Sequence, residues 1–196
     1  MADVVAYGKN RVTGEPVPLT NADVLTDESG NSVSGGTATD SRLIEFTDDI
    51  GGIAAPQTVT SGTRTRSQRY PDGSTSGQFF EFDVPGNYVG GNLTIYMLCR
   101  TGAAVASPNN VVRLRTDGEV FDVSAKTVNA ISQTDADISV ADNTTGPAKV
   151  TIRQLTAGTF GAGDRIQFGF QRLGGHVNDL LGQYLDVLHF GYEYNA

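Results

Sequence analysis

From Tyr70 to the C-terminus the chain alternates apolar and polar residues in short runs, each closed by turn-forming residues. Period-two alternation turns one face of a strand to a core and the other to water or a partner. The pattern predicts strands over residues 78–84, 92–100, 110–116, 119–124, 136–140, 147–155, 165–172 and 184–194. In the second of these, Leu93, Ile95, Met97 and Cys99 oppose Thr94, Tyr96, Leu98 and Arg100. In the seventh, Ile166, Phe168 and Phe170 share a face, and in the last so do Leu188, Phe190, Tyr192 and Tyr194. Phe190, Tyr192 and Tyr194 are therefore candidate core or subunit contacts. Tyr70-Pro71-Asp72-Gly73, Pro85-Gly86-Asn87, Ser107-Pro108-Asn109-Asn110 and Gly161-Ala162-Gly163 read as turns. Asp117-Gly118 between two strand-like runs reads as a hairpin turn. The one helix candidate is residues 177–184. Eight short strands with this punctuation predict an all-β fold, an antiparallel jelly-roll sandwich or barrel.

Residues 1–69 read differently. Short apolar islands, such as Val4-Val5-Ala6-Tyr7 and Leu43-Ile44-Glu45-Phe46, are separated by Gly-, Ser-, Thr- and Asn-rich stretches. None is long enough for a helix that stands alone. The expected organisation is an N-terminal arm or small β attachment domain over 1–69 and a sandwich over 70–196.

Charge and cysteine content narrow the partners. With 22 acidic against 14 basic residues the formal charge is −8. Net acidity argues against nucleic acid and anionic membranes, which need clustered Lys and Arg. Cys99 is the single cysteine, so no internal disulfide is available. No signal peptide and no apolar run of about 20 residues are visible. The expectation is a soluble protein made and folded in a reducing cytoplasm.

Candidate chemistry is sparse. His176 and His189 have no partners at the spacing of a metal site or nucleophile–base pair, and His189 is placed on the face of Val187 and Gly191. Asp48-Asp49, Asp135-Ala136-Asp137 and Asp142-Asn143 lack the spacing of a calcium loop and read as solvated carboxylates. Glu81, Asp83 and Glu193 are the acids from which a glycosidase pair could be assembled on neighbouring strands, but no tryptophan offers a sugar platform. Tyr70, Tyr88 and Tyr96 could stack on a sugar instead. No cofactor, metal or catalytic residue is assigned. Arg64, Arg66 and Arg69 form the basic run in an acidic chain. Arginine forks suit carboxylates on a neighbouring subunit or another acidic protein surface. Together with Tyr7 they are the candidate attachment contacts.

Phe82-Asp83-Val84-Pro85-Gly86-Asn87-Tyr88, the strand 91–100, Gly163-Asp164 leading to Arg172, the corner Asn178-Asp179-Leu180-Leu181-Gly182 and the ending Tyr192-Glu193-Tyr194 make a recognisable series. Across roughly residues 75–196 the chain resembles the trimeric jelly-roll proteins of tailed-phage virions, the capsid decoration or cement proteins and their relatives on fibres and spikes. The N-terminal segment is similar to phage head-protein openings. The resemblance implies a non-enzymatic virion protein on the capsid surface, a homotrimer holding the major capsid protein through its arm. The alternative is a fibre, spike or head-fibre module recognising host surface glycan, with 107–110, 142–146 and 161–164 as contact loops.

Overall fold

The structure is a computed structural model that describes residues 7–9, 16–18, 39–44, 48–49, 53–61, 65–140 and 147–195. Two compact units divide the chain, Met1–Ala38 and Thr39–Ala196. In the first, β1 (Tyr7–Lys9) pairs antiparallel with β2 (Pro16–Pro18).

The second unit is built from β3 (Thr39–Ile44), β4 (Asp48–Asp49), β5 (Gln57–Ser61), β6 (Thr65–Tyr70), β7 (Thr75–Asp83), β8 (Gly90–Thr101), β9 (Val111–Asp122), β10 (Thr127–Ser139), β11 (Ala148–Leu155), β12 (Arg165–Leu173) and β13 (Leu185–Asn195). One sheet has the order β10-β9-β12-β7-β4 and the other β11-β8-β13-β6-β5, with β3 also on β13. Antiparallel pairs nest around the β9–β10 hairpin: β8 with β11, β7 with β12, and β6 with β13. Successive pairs alternate between the two sheets, which is the winding of a jelly roll. The all-β antiparallel sandwich expected from the alternation is the fold.

The core lies between the sheets. Leu93, Ile95, Met97 and Cys99 are fully buried, as their alternation predicts, and Ile166, Phe168 and Phe170 face them. Phe190 lies 4.2 Å from Phe80 and 4.9 Å from Phe170, centroid to centroid, and Phe82 stacks on Tyr192 at 4.5 Å. Edge-to-face and offset pairs of this kind add to the area they bury.

Four features depart from the sequence reading. First, the compact unit begins at residue 39 rather than 70. Strands β3 and β6 share the free edge of β13, β6 along Leu185–Val187 and β3 along Phe190–Asn195. Backbone hydrogen bonding needs no apolar run, so composition conceals these strands. Second, Asp117-Gly118 is not a turn. It lies inside β9, and the hairpin turns beyond Asp122, where Lys126 takes φ 58°. A Cβ on Gly118 would collide with the Gln167 carbonyl oxygen and lie 3.1 Å from Phe168 Cα. Here glycine marks close backbone approach. Gly118→Ala should cost about 1–3 kcal/mol, read as a lower urea midpoint at unchanged slope; an unchanged midpoint would contradict this packing. Third, β10 runs across 13 residues where alternation located only 136–140, because its exposed, polar edge position leaves little apolar signal. Fourth, residues 177–184 are not helical.

A β-bulge in β13 corrects one placement. Val187 pairs with Cys99, but His189 pairs with Leu98. The extra residue moves His189 off the Val187 face, and its ring meets Tyr96 edge-on at 6.3 Å. Burial lowers its pKa.

Candidate functional site

Most residues singled out by the sequence are occupied within the fold. Phe190, Tyr192 and Tyr194 are core residues of the chain itself. The Tyr192 hydroxyl donates to the Asp83 carbonyl and the Tyr194 hydroxyl to Asn87 Oδ1, each at 3.1 Å. Arg69 forks onto Asp186 at 2.8 and 3.0 Å, and its guanidinium carbon stands 3.5 Å from the Tyr184 ring centroid. The Asp186 side chain, almost fully buried, also has Arg100 at 3.6 Å. Arg69 is thus committed inside the chain. Arg66 and Tyr7 are strand positions in β6 and β1, and Arg64 lies outside the described residues.

The acids from which a glycosidase pair could be assembled each have a partner of their own. Glu81 accepts from Gln167 Nε2 at 2.9 Å, and Asp83 accepts both arms of Arg165 at 2.8 and 3.3 Å. The Arg165 hydrogen bond holds the Asp83 carboxyl below its usual range, the wrong direction for a proton donor. Glu193 belongs to the other sheet, where it pairs with Lys149. Asp135 and Asp137 pair across strands with Arg115 and Arg113. Asp142 and Asn143 lie outside the described residues, and so do the 142–146 contacts. Among the described residues no three His, Cys, Asp or Glu side chains gather as a metal ion needs.

Cys99 is fully buried, and burial pushes its thiol up to about 12. The thiolate is the reactive form. A disulfide reagent at about pH 8 should leave folded protein unmodified and label Cys99 only in denaturant; rapid labelling of native protein would show that the core opens there.

Arg172 is the functional-looking residue the sequence reading missed. Its side chain is fully buried. Nε and Nη2 donate to Asp179 at 2.9 and 2.7 Å, Nη2 also to the Leu181 carbonyl at 2.6 Å, and Nη1 to the Tyr70 and Gln183 carbonyls at 3.0 and 2.7 Å. All five guanidinium donors are used. Asp179 Oδ2 additionally accepts the Arg113 backbone N–H at 3.1 Å. The signal was legible: carried one step further, the Ile166-Phe168-Phe170 face reaches Arg172, and a buried arginine requires a carboxylate. Its role is to pin the corner between β12 and β13.

The open site lies where the two sheets end. Edge strands β10 and β11 belong to different sheets, and a cleft of about 470 Å³ runs between them. Buried Val120 and Leu155, with half-buried Ile131, make its apolar part; exposed Asn129, Gln154 and Thr159 make its polar rim. Both strands carry a bulge here, β10 between Ile131 and Thr134 and β11 between Thr151 and Arg153. Arg153 spans the gap: Nη2 donates to the Ser132 carbonyl and Nη1 to Thr116 Oγ1, each at 3.1 Å. Burial lowers its pKa. A second hollow of about 400 Å³ adjoins at Asn129, Gly158 and Thr159. Its Asp164 is already used, accepting the Val123 and Gly161 backbone N–H groups at 3.1 and 2.7 Å.

No family model and no curated protein sequence matches the chain. Among solved structures, it is similar to the CBM36-1 domain of a multidomain xylanase from the hindgut metagenome of Trinervitermes trinervoides, with TM-score 0.38 and 10% identity over 81% of this chain and 98% of that one. It is also similar to the C-terminal CBM6 of LamC, a marine laminarinase from Zobellia galactanivorans, with TM-score 0.32 and 11% identity over 79% and 98%. Neither likeness bears on what this chain binds.

Proposed function

We propose that the chain is a non-enzymatic structural protein of a tailed-phage virion, a capsid decoration protein whose N-terminal residues attach a jelly roll to the major capsid protein, with three copies acting together. The observation that carries this reading is the division of the chain. Thr39–Ala196 is a jelly roll with its own core, and Met1–Ala38 is a separate compact unit. A body that folds on its own frees the other unit for attachment. Three attached copies gain by effective concentration, so each contact can be weak while the assembly holds. Exposed Val89, Val123 and Val128 all lie at the end of the sandwich that carries the β7–β8, β9–β10 and β11–β12 turns, and they offer apolar contact there.

The test is re-addition to particles stripped of the protein. The full chain should co-sediment with them and Thr39–Ala196 should not. Equal binding of the truncated form would remove the attachment role, and a stable monomer by light scattering would remove the trimer.

A second reading, a module recognising surface glycan, draws on the cleft between β10 and β11, whose apolar wall and amide rim suit a sugar ring. Binding of neutral or acidic oligosaccharide on a glycan array would support it, and an array with no signal would remove it.

A further inference from the structure

We propose that the cleft between β10 and β11 receives a carboxylate-bearing sugar, with Arg153 as the residue that takes the carboxylate. The inference rests on the glycan reading above and adds the ligand's charge.

The charge pattern singles out Arg153. Arg69, Arg100, Arg113, Arg115, Arg165 and Arg172 each have an aspartate oxygen within 3.6 Å. Among the described residues, Arg153 has no carboxylate partner, although it is half-buried and lines a cleft. Its hydrogen bonds to Thr116 and Ser132 engage two of its five N–H donors and fix the side chain across the bulges. Three donors remain for a ligand. A desolvated guanidinium without a counter-ion is costly, and an anion that arrives with its own charge removes that cost.

The lining decides between kinds of anion. The cleft contains no Asp or Glu, in a chain with 22 of them, and no Lys. One planar fork matches one carboxylate, whereas sites for a phosphate dianion gather several cations or backbone N–H groups. Asn129 and Gln154 each offer a donor and an acceptor, the pairing that adjacent sugar hydroxyls require. Half-buried Ile131, over buried Val120 and Leu155, supplies the apolar surface for a ring face. A volume of about 470 Å³ lies within the usual range for small-molecule sites.

Calorimetric titration of the full chain with trigalacturonate, maltotriose and sodium acetate tests this. Trigalacturonate should bind at least about tenfold more tightly than either of the others, and Arg153→Gln should lose about that factor. Equal affinity for the acidic and neutral trisaccharides would leave the glycan reading standing and overturn the carboxylate assignment. Binding of neither sugar would overturn both. Acetate binding as tightly as trigalacturonate would mark a simple anion site and overturn the sugar. Should Arg153→Gln fail to fold, Ala130→Trp decides instead, because Ala130 is exposed and lines the cleft. Trigalacturonate affinity unchanged in that variant would place the ligand elsewhere.

Discussion

Arg172→Leu is expected to cost about 3–5 kcal/mol of folding free energy, the effect of breaking a buried ion pair from one side. The substitution leaves the Asp179 carboxylate, whose side chain is fully buried, facing three carbonyls that have lost their donor. Water cannot replace the guanidinium without opening the corner between β12 and β13. Arg172→Lys should recover only a minor part, since an ammonium has three donors and no fork. Asp179→Ala should be comparably costly, because it strands the arginine and frees the Arg113 backbone N–H. The double variant Arg172→Leu/Asp179→Ala should be less destabilised than the sum of the two singles. Urea unfolding of the four proteins checks this; a loss below about 1 kcal/mol for Arg172→Leu would mean that the corner is not held by this residue.

Phe190→Ala should cost a similar amount, about 3–5 kcal/mol. The ring sits where the two sheets meet, packed on Phe80 and on Phe170, which in turn meets Tyr70 edge-on at 5.1 Å. These four aromatics come from β6, β7, β12 and β13, so the contact ties together strands remote in sequence. Strands on every side hold the site open, so the cavity left by alanine cannot close. Phe190→Leu should cost less, because it fills part of that volume. Thermal unfolding of both variants orders the effects; equal melting temperatures for the wild type and Phe190→Ala would contradict the packing. The same burial bears on assembly, because Phe190, Tyr192 and Tyr194 serve the core and their tyrosine hydroxyls are already bonded inside the chain.

What alternation can report is burial of one strand face, and there it served well. Leu93 through Cys99 and Ile166 through Phe170 were legible as core because each sheet buries one face. Strands held mainly by backbone hydrogen bonds were not legible. β3 and β6 complete the edge of β13, and β10 is an exposed edge, so apolar residues mark only parts of them, Leu43-Ile44 in β3 and 136–140 at the end of β10. Gly118 misled because the same residue serves a turn and a close crossing, and only the neighbour Gln167 distinguishes them. His189 was misplaced by a bulge, which breaks the parity on which any reading of faces depends. The cleft was illegible for a related reason: Asn129 and Arg153 come from strands in different sheets, and only the nested winding puts them side by side. Arg69 looked like an outward contact until Asp186, 117 residues away, proved to hold it.

If this jelly roll is a component of a virion surface, as proposed, it is present in purified particles. A density map of purified particles, with mass spectrometry of the same preparation, tests it most directly. The expected result is the chain among the particle proteins and jelly-roll density in three-fold clusters over the capsid. Particles that lack the chain, or carry it only at the tail tip, would contradict the capsid role.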